Sequence, residues 1–131
     1  MLLSWNKCIT VVGAAVFSLA AAAQQGPKVE LPPQALANPQ LLIDGYTKNC
    51  ETGSVTLPAP HGDADIKDSP KLHAYCQCFA TKFANRAVSL SKAAQRPPAT
   101  ELLAGERDMR NSCRQEQGLA TLDFPPLRST K

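Results

Sequence analysis

The chain has 131 residues, among them 14 lysines and arginines, 11 aspartates and glutamates, 11 prolines and five cysteines. This length predicts one folded domain, and a formal net charge of +3 is too small to indicate binding to nucleic acid or to an acidic membrane surface. Aromatic residues make up only 5% of the sequence, so the core should be thin and should depend on disulfides.

The first 23 residues have the pattern of a secretory signal peptide. Lys7 provides a positive charge, an uncharged run extends from Ile9 to Ala23, and Ala21-Ala22-Ala23 matches a cleavage site of small residues. The alternative is a membrane anchor, but a run of about 15 residues is shorter than the ~20 that span a bilayer. We therefore expect export, no stable membrane span after cleavage, and a mature chain of residues 24–131.

The mature chain begins with a proline-rich leader and a first helix. Residues 24–37 carry three prolines and no hydrophobic periodicity, which predicts an extended or disordered leader. Asn38-Pro39 then supplies a helix cap followed by a proline at the first helical position. The predicted helix ends at Gly53, and one of its faces carries Leu42, Tyr46 and Cys50.

A loop and the longest predicted helix follow. Residues 54–68 form the loop, because prolines and a glycine interrupt any periodicity. The His61–Asp65 run lacks the glycine and glutamate positions of a calcium-binding loop, so we expect it to be solvated. The second helix is predicted from Pro70 to Gln95, where Pro97-Pro98 stops it. Its buried stripe at helical spacing comprises Leu72, Cys76, Phe79, Phe83, Ala87, Leu90 and Ala94.

A third helix and a tail complete the mature chain. Thr100 is positioned to cap the helix, and Gly118 is positioned to end it shortly after Cys113. Residues 119–131 show no helical signal and predict an irregular tail. Three apolar residues of the tail are expected to pack back on the helices, namely Leu119, Leu122 and Phe124.

The predicted helix limits bring the four mature cysteines together. Cys50 ends the first helix, Cys76 and Cys78 lie near the start of the second, and Cys113 lies near the end of the third. Short connections favour antiparallel neighbours, which places these regions at one end of the molecule. The sequence therefore predicts an all-α fold: a three-helix up-down-up bundle over residues 38–118, stapled at one end by two disulfides in an oxidising compartment.

The pairing of these cysteines stays open, since four cysteines allow three connectivities. Cys76 and Cys78 point about 200° apart on a helix, at ~100° per residue, which disfavours a bond between them. If the long stripe faces the third helix, Cys76 pairs with Cys113 and Cys50 pairs with Cys78, and this is the pairing we favour. The alternative joins Cys50 to Cys76 and Cys78 to Cys113.

The same region raises a second hypothesis, in which the cysteines bind metal or handle thiols. His73, Cys76, Cys78 and Cys113 offer soft ligands that suit Cu(I) or zinc. However, Cys-x-Cys on a helix differs from zinc knuckles, and Cys76 lies too deep in the helix for an activated thiol. We therefore favour structural disulfides and expect no cofactor or metal. No nucleophile with a catalytic context is recognisable, so the sequence does not predict an enzyme.

The order of a signal peptide, Cys50, Tyr75-Cys76-Gln77-Cys78 and Cys113 resembles small secreted helical proteins of Gram-negative bacteria. The resemblance covers about residues 41–113 and implies a periplasmic or secreted location. We hypothesise a non-enzymatic binding or accessory protein of the bacterial envelope, for example an inhibitor or immunity protein. Its partner would be another envelope or secreted protein. No exposed aromatic cluster of the kind that anchors interfaces is predicted, which speaks against this role.

Overall fold

The structure, a computed structural model, describes Lys28 and residues 30–128. Over these residues the chain is helical and contains no β-strand. None of the described helices is long and apolar enough to cross a membrane. The predicted signal peptide, residues 1–23, lies outside the described residues. The helices are α1 (Pro33–Ala37), α2 (Gln40–Thr52), α3 (Leu72–Lys92) and α4 (Ala99–Glu116), with 3₁₀ turns at Ser54–Thr56 and Ala64–Ile66.

The sequence predicted an extended or disordered leader over residues 24–37, but part of it is helical. Pro33–Ala37 form α1, in which the N–H groups of Ala35 and Leu36 donate to the Pro32 carbonyl at 2.9 and 3.2 Å. The proline at its first position has a helical φ and lacks an N–H that would be unpaired there. Ala35 is buried, and α1 contacts α2. The proline-rich composition therefore gave no indication of this short helix.

α2 begins and ends close to the predicted positions. The Asn38 side-chain oxygen accepts a hydrogen bond from the backbone N–H of Gln40 at 3.2 Å, which satisfies one donor of the first turn. The helix ends at Thr52, with Gly53 as its C-terminal cap. Both limits therefore lie next to the cap residues that the sequence predicted.

α3 is shorter than the predicted Pro70–Gln95. The Ser69 hydroxyl accepts a hydrogen bond from the backbone N–H of Lys71 at 3.2 Å just before the helix starts. At the other end, Ala93 already has extended backbone dihedrals, with φ −72° and ψ 142°. Helical structure therefore stops several residues before the two prolines that follow.

The end of α4 is closed by Gly118, as predicted. Its φ of +63° lies in the left-handed region, which L-residues with side chains rarely adopt. The N–H of Gly118 donates to the Gln115 carbonyl at 2.9 Å, and that of Leu119 donates to the Arg114 carbonyl at 2.8 Å. This pair of hydrogen bonds is the Schellman arrangement. It turns the chain so that Leu119 packs against the core.

Replacing Gly118 with alanine is expected to lower the free energy of unfolding by about 1 kcal/mol, because an L-residue is strained at positive φ. Gly45→Ala is the matched control, since a Cβ at this exposed position of α2 would meet nothing within 4 Å. The control should raise the free energy of unfolding by about 0.5–1 kcal/mol. Urea unfolding followed by circular dichroism measures both changes, and a neutral Gly118→Ala would contradict the left-handed cap.

The tail is irregular over residues 119–128 and lies along α4. The Asn111 side chain donates to the Leu122 carbonyl at 3.0 Å and accepts from its N–H at 2.7 Å. The Phe124 ring lies 4.9 Å from the Arg107 guanidinium and 5.4 Å from that of Arg110. With Leu122 buried, the tail forms a strap that covers one side of α4.

The two disulfides join Cys50 to Cys76 and Cys78 to Cys113, so the pairing that we favoured from the sequence is wrong. The reason is the direction of the α3 stripe. Phe83 on that stripe packs edge-to-face on Tyr46 of α2, with ring centroids 4.9 Å apart, and α3 packs more extensively against α2 than against α4. Cys76 therefore faces α2, and Cys78 turns toward α4.

The hydrophobic core surrounds the disulfides. Both Cys76 and Cys113 are completely buried, and Cys50 is nearly so. Ile66, from the loop that precedes α3, inserts among them, and Tyr75 closes the cluster. The loop over residues 54–68 is therefore part of the core, and both disulfides anchor α3 to its neighbours.

Candidate functional site

The residues predicted for a metal or thiol site are not available as free ligands. All four cysteine sulfurs are bonded in disulfides. Within the described part of the chain, the sulfurs of Cys78 and Cys113 lie within 4.8 Å of the Glu116 carboxylate, but His73 is not in this group. The exposed His73 imidazole instead pairs with Glu51 at 2.5 Å. In this structure the four sulfurs at the disulfide end are therefore not available as thiolate ligands.

A network of buried charges lies beneath the 54–68 loop and centres on Asp63, which is 2% exposed. Its Oδ1 accepts hydrogen bonds from Tyr75 and Arg110, both at 3.0 Å, and from Arg114 at 2.8 Å. Its Oδ2 accepts one from the Ser54 hydroxyl. One carboxylate thus receives donors from the loop itself, from α3 and from α4.

The two arginines of the network extend these contacts. Arg114, which is completely buried, binds both carboxylate oxygens of Asp65 at 2.8 Å. Arg110 donates to two backbone carbonyls of the loop, those of Pro60 and Gly62, at 2.8 and 2.9 Å. The guanidinium groups therefore fix the loop to α4 through side-chain and backbone acceptors together.

These contacts keep the network charged. Burial alone would raise the pKa of Asp63, but hydrogen bonds from Ser54 and Arg114 and the charge of Arg110 lower it below its ordinary value. Burial alone would lower the pKa of Arg114, but its hydrogen bonds to Asp65 and Asp63 raise it. Two carboxylates thus balance two guanidinium groups, and the network holds the loop in place.

The sequence predicted a solvated His61–Asp65 run; His61, Ala64 and Asp65 are exposed, but the prediction is wrong for Asp63, which is buried. The two basic partners of Asp63 lie 47 and 51 residues away in sequence, on α4. A usable signal was present, because Arg110 and Arg114 are four residues apart on the helix that carries Cys113. Arginines that are buried beside this cysteine require acidic partners.

A cleft opens beside α3, between α2, the 54–68 loop and α4. We call it the aromatic cleft, because the rings of Tyr46, Phe79 and Phe83 line its first cavity together with His61, Glu106 and other side chains. This cavity has a volume of about 340 Å³. A second cavity of about 280 Å³ adjoins it, shares Tyr46, Phe83 and Glu106, and extends along α3.

The three rings form one cluster. Tyr46 lies edge-to-face on Phe83 with an interplanar angle of 83°, and the centroids of Phe79 and Phe83 are 5.5 Å apart. The sequence assigned both phenylalanines to a buried stripe, whereas all three rings remain half-buried. Glu106 and Arg110 of α4 line the other side of this cavity, so this part of the stripe borders an open pocket instead of a closed core.

Arg86 forms a wall of the second cavity. Its guanidinium donates to the backbone carbonyls of Glu101 at 3.2 Å and Leu102 at 3.3 Å, on the first turn of α4. Gly105 makes this approach feasible, because a Cβ there would lie 1.8 Å from Arg86 Nη1. A glycine inside a helix costs about 1 kcal/mol relative to alanine, and here it leaves room for a guanidinium that shapes the cleft.

No protein-family model matches the chain, and no curated protein or solved structure matches it significantly. Inference about function therefore depends on the aromatic cleft and on the sequence.

Proposed function

We propose that this chain is an exported, non-enzymatic binding or accessory protein of the bacterial envelope. It acts in the periplasm or outside the cell, and its three long helices form an up-down-up bundle. Two disulfides indicate an oxidising compartment, and the N-terminal pattern of a signal peptide agrees with export. Its partner is another envelope or secreted protein.

The observation that carries this proposal is the aromatic cleft. Tyr46 and Phe83 sit on two helices joined covalently by the Cys50–Cys76 disulfide, so the rings are held in position before any partner binds. Preorganised aromatic side chains bind with little loss of conformational entropy, and aromatic residues commonly dominate interface energetics. An inhibitor or immunity protein would use such a cleft to grip a projecting segment of an envelope-acting enzyme.

Site-specific photo-cross-linking in cells tests the proposal. A photoreactive phenylalanine derivative at position 46 keeps an aromatic ring in the cleft. The control places the same group at Leu41, which is 55% exposed on α2 and lines neither cavity. We expect one defined cross-linked exported protein with the probe at position 46 and none with the probe at position 41.

The cross-linked protein must then bind the purified chain directly. Tyr46→Ala should weaken that binding at least about tenfold, because truncating an aromatic hot spot typically costs about 2 kcal/mol or more. Leu41→Ala should leave it unchanged. Equal cross-linking from both positions, or equal binding by both alanine variants, would contradict a binding function of the cleft.

A thiol count separates this function from metal or thiol handling by the four cysteines. Protein taken from the envelope should contain no free thiol among Cys50, Cys76, Cys78 and Cys113, because each sulfur is bonded in the structure. Two or four free thiols would favour the chemical alternative.

A further inference from the structure

Glu106 is an acidic side chain of the aromatic cleft that has no ion-pair partner among the described residues. It is half-buried and lines both cavities. It makes no ion pair or hydrogen bond with any residue that the structure describes. A carboxylate that is partly removed from water and lacks a partner favours the approach of a cation.

The other charged groups of the first cavity are already compensated. Arg110 is paired with Asp63 at 3.0 Å, and that pair belongs to the balanced network with Arg114 and Asp65. Two further cations, Arg86 and Arg96, line only the second cavity. Among the charged side chains that line the first cavity, Glu106 therefore has no ion pair with a described residue, although it also lines the second cavity with the two arginines. An exposed histidine, His61, lies at the rim of the first cavity.

The aromatic rings complete a site for a cation. Faces of tyrosine and phenylalanine attract ammonium and guanidinium groups within about 6 Å of the ring centroid, and Tyr46 and Phe83 line the same cavity as Glu106. The aliphatic stem of a lysine or arginine side chain would pack on Phe79, while its charged end reaches the carboxylate. A volume of about 340 Å³ accommodates such a side chain with part of its backbone.

We propose that the first cavity of the aromatic cleft receives a lysine or arginine side chain of the partner protein, with Glu106 as the acceptor of its charged group. This inference rests on the proposed binding function and specifies the chemistry of the partner segment. A basic residue on a projecting loop or chain end of the partner would supply the cation.

Nuclear magnetic resonance titration of the disulfide-bonded protein tests the inference with defined probes. The probes are three capped peptides, Leu-Lys-Leu, Leu-Arg-Leu and Leu-norleucine-Leu, the last having a similar stem without charge. We expect saturable shifts of the resonances of Tyr46, Phe83 and Glu106 with the two cationic peptides. Their Kd should be at least about tenfold lower than that of the norleucine peptide.

Two matched variants assign the effect to Glu106. Glu106→Gln removes the charge at nearly constant shape and should weaken binding of the cationic peptides about tenfold, leaving the norleucine peptide unaffected. Asp108→Asn makes the same change at an exposed position of α4 that lines neither cavity, and it should change the Kd less than about twofold. Equal weakening by both variants would show a nonspecific charge effect and overturn the inference.

Other occupants give different results. Shifts of the same resonances on concentrating the free protein would identify a second copy of the chain. Nuclear Overhauser contacts between the Phe83 ring and residues before Leu31 in the free protein would identify the leader. Either result would overturn the assignment to a partner's cation. If the cross-linked partner binds with a Kd that depends on Tyr46 but not on Glu106, the proposed function stands and the cation is wrong.

Discussion

Replacing Cys50 and Cys76 together with alanine is expected to lower the free energy of unfolding by about 3–4 kcal/mol, the loop-closure contribution of a disulfide of this span. The two cysteines are 26 residues apart in sequence, and both are buried in the core. The loss is comparable with the whole net stability of a small domain. The double variant should therefore be largely unfolded at about 37 °C or close to its unfolding midpoint.

The matched comparison is the Cys78→Ala/Cys113→Ala variant. Its loop is somewhat longer, with a separation of 35 residues, so chain entropy alone predicts a similar loss. Cys78 is half-buried, however, whereas Cys76 is fully enclosed. Removing the Cys50–Cys76 bond should therefore also disturb core packing and cost more. Urea unfolding of both variants, and of wild type with and without reductant, measures which variant loses more free energy of unfolding. Wild-type circular dichroism unchanged by reductant would contradict a structural role for both disulfides.

Asp63→Asn is expected to cost about 3–5 kcal/mol, because it leaves two buried guanidinium groups with a single carboxylate. The asparagine side chain would keep the shape and one acceptor but lose the charge that Arg110 and Arg114 share. Asp65→Asn is the control, since its side chain is 40% exposed and binds only Arg114. That change should cost about 1 kcal/mol. Equal losses for the two variants in urea unfolding would argue against Asp63 as the centre of the network.

The loss of stability in the Asp63→Asn variant should depend on pH. The pKa of Asp63 is lowered in the folded state by its hydrogen bonds from Ser54 and Arg114 and the charge of Arg110, which outweigh burial. A lowered folded pKa contributes stability above the unfolded value of about 3.9, and this stability is lost as pH falls through the folded pKa. The gap between wild type and Asp63→Asn should stay constant between about pH 7 and 5 and narrow below about pH 4. A gap that is unchanged at about pH 3 would refute the charge argument.

Local sequence signals predicted the limits of α2 and the end of α4, whereas α3 is shorter than predicted, α4 begins before the predicted cap Thr100, and α1 was not predicted. Asn38 with Pro39, Gly53 and Gly118 each act through their own backbone dihedrals or through a hydrogen bond to a nearby residue. Such signals require no knowledge of the rest of the fold. They also brought the four cysteines together, because the cysteines lie close to helix ends.

Contacts between residues that are distant in sequence could not be predicted from these local signals. The angle between Cys76 and Cys78 follows from helical geometry, but which neighbour each one faces depends on how α3 packs against α2 and α4. Asp63 has two basic partners that lie 47 and 51 residues away. The spacing of Arg110 and Arg114 indicates that both need acidic partners, but it does not indicate which residues these are. The cleft was hidden for a related reason, since a half-buried Phe83 has the same sequence pattern as a buried one.

The observed disulfide pairing affects the resistance of the protein to proteolysis. A single backbone cut between Cys50 and Cys76, or between Cys78 and Cys113, leaves two pieces still joined by a disulfide. Between Cys50 and Cys113, only the two peptide bonds of Gln77 lie outside both covalent loops. That residue sits inside α3, where helical hydrogen bonds must open before a protease can bind the backbone. A chain cut within either loop thus stays in one covalent piece. Between Cys50 and Cys113, the peptide bonds at which a cut would separate two pieces lie within α3.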